Sequence, residues 1–89
     1  MGILRDSLNH VIFADLAYAE DTDTEDTFYF RFHNGVYEIE IMNNQLETIS
    51  THEFSDFYSA DQKLTDLLHN RHYECKYYKT YIYRNYLNW

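Results

Sequence analysis

His69, His72 and Cys75 stand three residues apart, and imidazole and thiolate are the ligands that zinc prefers. Zinc signatures, however, combine pairs such as Cys-x2-Cys with His-x3-His, and no fourth ligand accompanies these three at a matching interval. Cys75 is also the only thiol, and a nucleophilic thiol needs a base beside it that linear spacing does not supply. Asp21, Asp23 and Glu25 alternate as the first ligands of a calcium loop do. The EF-hand pattern then requires Gly at its sixth position and Glu at its twelfth, where this chain has Asp26 and Phe32. No Gly-rich phosphate loop is present. These residues point to a protein that is not an enzyme and holds no metal or cofactor.

What remains is charge. The chain carries a net charge of −8, distributed unevenly. Up to Gln62 there are thirteen Asp and Glu against Arg5 and Arg31, giving −11; from Lys63 onward Asp66 and Glu74 face Lys63, Arg71, Lys76, Lys79 and Arg84, giving +3. Such a protein is repelled by nucleic acid and anionic membrane and is steered toward basic surfaces. Two acidic groups stand out: Glu20, Asp21, Asp23, Glu25 and Asp26 in one short run without an apolar side chain, and Glu38, Glu40 and Glu47. The basic tail interleaves Arg71, Lys76, Lys79 and Arg84 with tyrosines, a pattern that suits base stacking on a basic protein and protein anchoring on an acidic one.

The elements that must position these groups are clearest around Asn34-Gly35, the strongest short hairpin signal, since a type I′ turn needs positive φ at both centres. That turn sets Phe28 to His33 against Val36 to Ile41. It puts Phe28, Phe30, Phe32, Tyr37, Ile39 and Ile41 on one face, and Tyr29, Arg31, His33, Val36, Glu38 and Glu40 on the other, with Arg31 opposite Glu38. A turn at Asn43-Asn44 leads to a third strand, roughly Leu46 to Thr51; a two-residue turn there sets Glu47 opposite Glu40, an unfavourable pairing unless a bulge changes the register.

Before the hairpin, Leu4, Leu8, Val11, Ile12 and Leu16 follow a helical period, and Ala14, Ala17 and Ala19 favour helix, so the chain from Ile3 to about Ala19 is predicted as an amphipathic helix. After the third strand, Phe54 and Phe57 are placed to cap the core. Ser59 with Gln62 reads as a capping box opening a second helix to about Asn70. From His72 to Trp89 the chain fits a strand, with Tyr73, Cys75, Tyr77, Tyr81 and Tyr83 on one face, and also a helical stripe; the strand is preferred.

At 89 residues with 45% apolar side chains, this is one domain, residues 1–89, with a single core. The expected class is α+β: a three- to four-stranded antiparallel sheet with an N-terminal helix and a second helix packed on one face. A lone cysteine excludes a disulfide framework, and no apolar run has the length of a membrane span or signal peptide, which places the protein in a reducing host-cell cytoplasm.

In size, acidity and an α-β-β-β-α order, the chain resembles the small phage-encoded inhibitors of bacterial defence nucleases, including anti-CRISPR proteins. The resemblance lies in charge and element order and not in a motif. It implies an acidic nucleic-acid mimic whose partner is a nucleic-acid-binding protein such as a Cas effector or nuclease, bound without direct nucleic-acid contact. On this reading the partner-binding residues are Glu20, Asp21, Asp23, Glu25, Asp26, Glu38, Glu40 and Glu47. An immunity protein or antitoxin against a basic toxin nuclease would use the same electrostatics, and a Tyr-rich accessory binding module is a further alternative.

Overall fold

A computed structural model describes residues 3–78. Its elements are strands β1 (Ile3–Arg5), β2 (Val11–Asp21), β3 (Thr27–His33), β4 (Val36–Met42) and β5 (Thr48–Phe54), helix α1 (Phe57–Leu68) and strand β6 (Tyr73–Tyr78). The hairpin has the register expected from its turn. Asn34 and Gly35 have φ of 49° and 84°, and β3 pairs with β4 from His33↔Val36 to Thr27↔Met42 without a shift. Phe28, Phe30, Tyr37, Ile39 and Ile41 are buried, while Arg31, Glu38 and Glu40 lie on the opposite face.

The fold class is corrected by the segment before the hairpin. It contains no helix: among the described residues the molecule is a six-stranded antiparallel sheet with a single helix, ordered β1-β2-β3-β4-β5, with β6 on β2. The α-β-β-β-α order on which the likeness to phage inhibitors drew is therefore not the order of this chain. Two local features explain the difference. Asp6 accepts hydrogen bonds from the backbone N–H of Leu8 and His10, and Asn9 has φ 67°, so the chain reverses between Arg5 and Val11 where a helix would continue. Further on, a bulge between Asp15 and Ala17 places both Leu16 and Ala17 inward across from Phe30. The buried positions of β2 are consequently Ala14, Leu16, Ala17, Ala19 and Asp21, and the step of one imitates a helical stripe.

β5 begins later than the expected Leu46. The turn before it is longer than two residues: Asn43 Oδ1 accepts from Gln45 and Glu47 N–H, the Asn43 N–H donates to Glu47 O, and Leu46 has φ 64°. A bulge at Ile41/Met42 then sets Glu40 opposite Thr51, and the like-charge pair falls instead on Glu38 and Glu53. The cap of helix α1 lies three residues before the predicted Ser59. Asp56 is its N-cap, accepting from Ser59 N–H at 2.9 Å, and Asn70, with φ 66°, follows its C-terminal turn. β6 confirms a strand for Tyr73–Tyr78, while the rest of the predicted tail strand lies outside the described residues. A bulge at Lys76 sends Tyr77 to the face opposite Cys75 and Tyr73, which had been expected together.

The core lies between one sheet face and α1. Phe57 stacks on Phe30 at 6.0 Å and meets Tyr37 edge-on, while Ala60 and Leu64 cover the same side. The alanines of β2 leave room for these larger side chains. Phe30 is 0% exposed. Truncating a buried phenyl costs about 3–5 kcal/mol, and an unpaired carboxylate adds a desolvation penalty, against a total stability of about 5–15 kcal/mol. Phe30→Asp is expected to abolish the cooperative thermal transition followed by circular dichroism. Glu53→Thr, which relieves the repulsion opposite Glu38, is expected to raise the midpoint by a few degrees.

Candidate functional site

The sheet face turned away from α1 is organised in cross-strand rows, because five strands meet there in nearly continuous register. One row runs Asp15 (β2), Arg31 (β3), Glu38 (β4), Glu53 (β5). The next runs Tyr77 (β6), Tyr18 (β2), Tyr29 (β3), Glu40 (β4), Thr51 (β5). Beyond it lie Glu74, Glu20 and Thr27. An aromatic row thus stands between two acidic ones, with rows about 6.6 Å apart along the strands.

The rings are in contact. Tyr18 stacks on Tyr29 with centroids 4.9 Å apart and planes 20° from parallel, Tyr77 lies 6.1 Å from Tyr18, and the Arg31 guanidinium sits 5.1 Å from the Tyr29 ring centre. Burial, with the Glu20 carboxylate beside it, pushes the Tyr18 hydroxyl up to about 12, so it remains a neutral donor at physiological pH. Arg31 bridges Glu38, at 3.5 Å, and Glu40. Glu40 is held below the usual carboxylate range first by the Thr48 hydroxyl and then by Arg31. One guanidinium therefore serves a row and its neighbour that together carry Asp15, Glu38, Glu40 and Glu53, and the surplus at this end of the face is negative.

The acidic run after β2 has a different character. Asp21 is buried, 4% exposed, and its carboxylate closes the loop: Oδ1 accepts from Asp23 and Thr24 N–H at 2.8 and 2.9 Å, and Oδ2 accepts from Arg71 at 2.8 Å. Arg71 also reaches Asp26 at 3.3 Å and lies 4.9 Å from the Phe28 ring centre. Asp23 meets His72 at 3.0 Å, and Glu20 meets Lys76 at 3.3 Å. Of the residues predicted to bind a partner, Asp21 and Asp26 are therefore structural. Glu20 and Asp23 are locally paired, Glu25 is exposed in the loop, and Glu47 closes the Asn43 turn away from Glu38 and Glu40. Glu20, Glu38 and Glu40 belong to the rows, Glu20 with its charge met by Lys76.

Sequence reasoning placed Tyr29 on this face with Arg31, Glu38 and Glu40 but missed Asp15, Tyr18, Glu53 and Tyr77 as members of the same surface. The signal was the outward alternation Asp15, then Tyr18 and Glu20, hidden by the bulge. Behind the sheet, a groove of about 520 Å³ opens between the end of α1 and the β2–β6 pair, floored by Ala17 and Ala19 and walled by Leu64 and Leu68. Cys75 borders it, with Sγ 3.3 Å from Tyr77 O. Among the described residues no three His, Cys, Asp or Glu side chains converge as a metal site requires, and no helix is long and apolar enough to cross a membrane. A comparison with protein-family models, curated proteins and solved structures finds no match to this chain.

Asp21 supplies a pH test. The N–H of Thr24 above all, then that of Asp23 and the Arg71 guanidinium, outweigh burial and hold its carboxyl at about 2. A depressed folded value contributes stability that is complete above the unfolded value, about 3.9, and is lost as pH falls through it toward about 2. Asp21→Asn keeps an acceptor for the loop but removes the charge facing Arg71. It is expected to lower the thermal midpoint by several degrees at pH 7 and to flatten the loss of stability between about pH 4 and 2, measured by thermal melts across pH.

Proposed function

We propose that this protein is an inhibitor that docks its row-patterned sheet face on a basic, nucleic-acid-binding surface of another protein, such as a Cas effector or other nuclease, and thereby competes with nucleic acid. The observation that carries the reading is the Tyr77–Tyr18–Tyr29 row flanked by carboxylates, including Glu38 and Glu53 directly opposite each other at a cost in stability. Tyrosine and arginine are the side chains that anchor protein interfaces, and charged rims set the rate of encounter. A cleft built for phosphates presents guanidinium groups, which can lie flat on a tyrosine ring while donating to a neighbouring carboxylate. Successive carboxylates along a strand, about 6.6 Å apart, are spaced comparably to successive phosphates.

The test is capture of the partner from host lysate at low and high salt, followed by kinetics with the purified pair. Replacing Asp15, Glu38 and Glu53 together by Asn or Gln is expected to slow association about tenfold at low salt and to flatten its salt dependence. Tyr29→Ala is expected to act mainly on dissociation, by about thirtyfold or more. Neutralising Asp23 and Glu25 should do much less. Unchanged kinetics in the row variants, with nucleic acid failing to compete, would refute the assignment of this face.

A further inference from the structure

Among the described residues the sheet ends at β5, and the backbone of that strand is arranged to accept another. A two-residue hairpin closes on a hydrogen-bonded pair, His33 with Val36, so β4 directs the backbone groups of Val36, Glu38 and Glu40 to β3 and those of Tyr37, Ile39 and Ile41 to β5. Their partners Phe54, His52 and Ser50 answer inward. The N–H and C=O groups of Glu53 and Thr51 then point off the free edge, where among the described residues no further strand lies, while Ile49 is the extra residue of the bulge between Ile41↔Ser50 and Met42↔Thr48. All three residues are exposed, Ile49 to 55%.

Edge strands in monomeric proteins are blunted by shortness, lysine, proline or bulges. On the opposite side of the sheet β1 has three residues, and β6 carries Lys76 in a bulge. β5 has seven residues, Thr-Ile-Ser-Thr-His-Glu-Phe, without lysine or proline, and its one bulge, at Ile49, leaves Ser50 to Phe54 in regular pairing.

We propose that β5 pairs with β5 of a second copy, antiparallel about a two-fold axis through Thr51, joining two sheets into one. In this register Thr51 faces Thr51 of the second copy and exchanges both of its outward backbone hydrogen bonds with it, and Glu53 of each copy lies level with the bulged Ile49 of the other. Shifting the centre to Glu53 would set two carboxylates directly opposite, and shifting it to Ile49 would carry Glu53 past the end of the strand; the Thr51 centre avoids both. The axis is perpendicular to the sheet, so the tyrosine rows of both copies lie on the same side and run on into each other through Thr51. The pairing stands independently of the partner proposed above. It joins two chains of charge −8, so salt strengthens it, whereas salt weakens capture of a basic partner.

The test is the mass of the full chain by light scattering across concentration and salt. A rise from 10.9 kDa to twice that value, shifted to lower concentration by salt, is expected. Thr51→Pro removes an N–H used only between copies and should weaken association about tenfold or more without loss of the thermal transition. The register is read in a Cys75→Ser background under mild oxidation. Thr51→Cys should cross-link, with Cα atoms about 5.5 Å apart, whereas Glu53→Cys should not, at roughly 14 Å. A monomer at every concentration, a dimer indifferent to Thr51→Pro in a folded variant, or cross-linking at Glu53 in place of Thr51 would each overturn the proposal.

Discussion

Strand β2 must find partners for the backbone of eleven residues on both of its edges, and the fold is the solution to that demand. Along one edge β3 serves nearly its whole length. Along the other, β1 takes the first half and β6 the second, from Ala17 to Asp21. The chain's beginning and its last described strand are thus brought to one edge by hydrogen bonding rather than by packing alone. The bulge at Leu16 falls near the handover between them. It adds one inward side chain, and Leu16 is among the largest fully buried residues of the core. The small inward residues Ala14, Ala17 and Ala19 leave the volume that Phe28, Phe30, Phe57 and Leu64 fill.

Acidity has two separate uses in this molecule. Without proline and with only two glycines, the chain closes its reversals with side-chain oxygens: Asp6 after β1, Asp21 after β2, Asn43 after β4 and Asp56 ahead of α1. In three of these four the acceptor is a carboxylate, and Asp6, Asp21 and Asp56 all have their pKa lowered by the backbone N–H groups they accept. That share of the net charge is architectural. Arg71 and Lys76, supplied by the basic end of the sequence, neutralise much of what remains around the β2–β3 loop. The uneven charge along the sequence is therefore largely annealed in space at that end of the sheet, and the excess that survives is concentrated around Arg31 at the other.

The hairpin was legible because two independent rules, turn chemistry and period-two alternation, agree residue by residue from Phe28 to Ile41. The helix α1 and the left-handed Asn70 were legible from their leucines and their cap, although Asp56 outcompeted Ser59 as the capping residue because it reaches the Ser59 N–H itself. The stretch from Ile3 to Ala19 was not legible, since a bulged strand has no single period and its alanines favour helix in isolation; what decides it is pairing with strands up to about sixty residues away. The same tertiary pairing hid the site. Tyr18 and Tyr29 become neighbours when β2 pairs with β3, and Tyr77 joins them only when β6 adds to β2.

Charge mimicry and aromatic anchoring read as competing explanations in the linear sequence, because the acids crowd its first two thirds and the tyrosines its end. On the sheet they occupy adjacent rows of one face. Their energetic roles differ with distance. Unpaired charges act beyond contact, over a Debye length of about 8 Å at physiological salt, and so govern approach. Rings act only within contact and govern residence. Arg31 belongs to both, lying against Tyr29 while holding Glu38 and Glu40, and its guanidinium already displays on this face the geometry that an incoming arginine would adopt. A surface that satisfies one arginine with a tyrosine ring and two carboxylates, and has Asp15 and Glu53 in the same row beside it, is chemically predisposed to receive another.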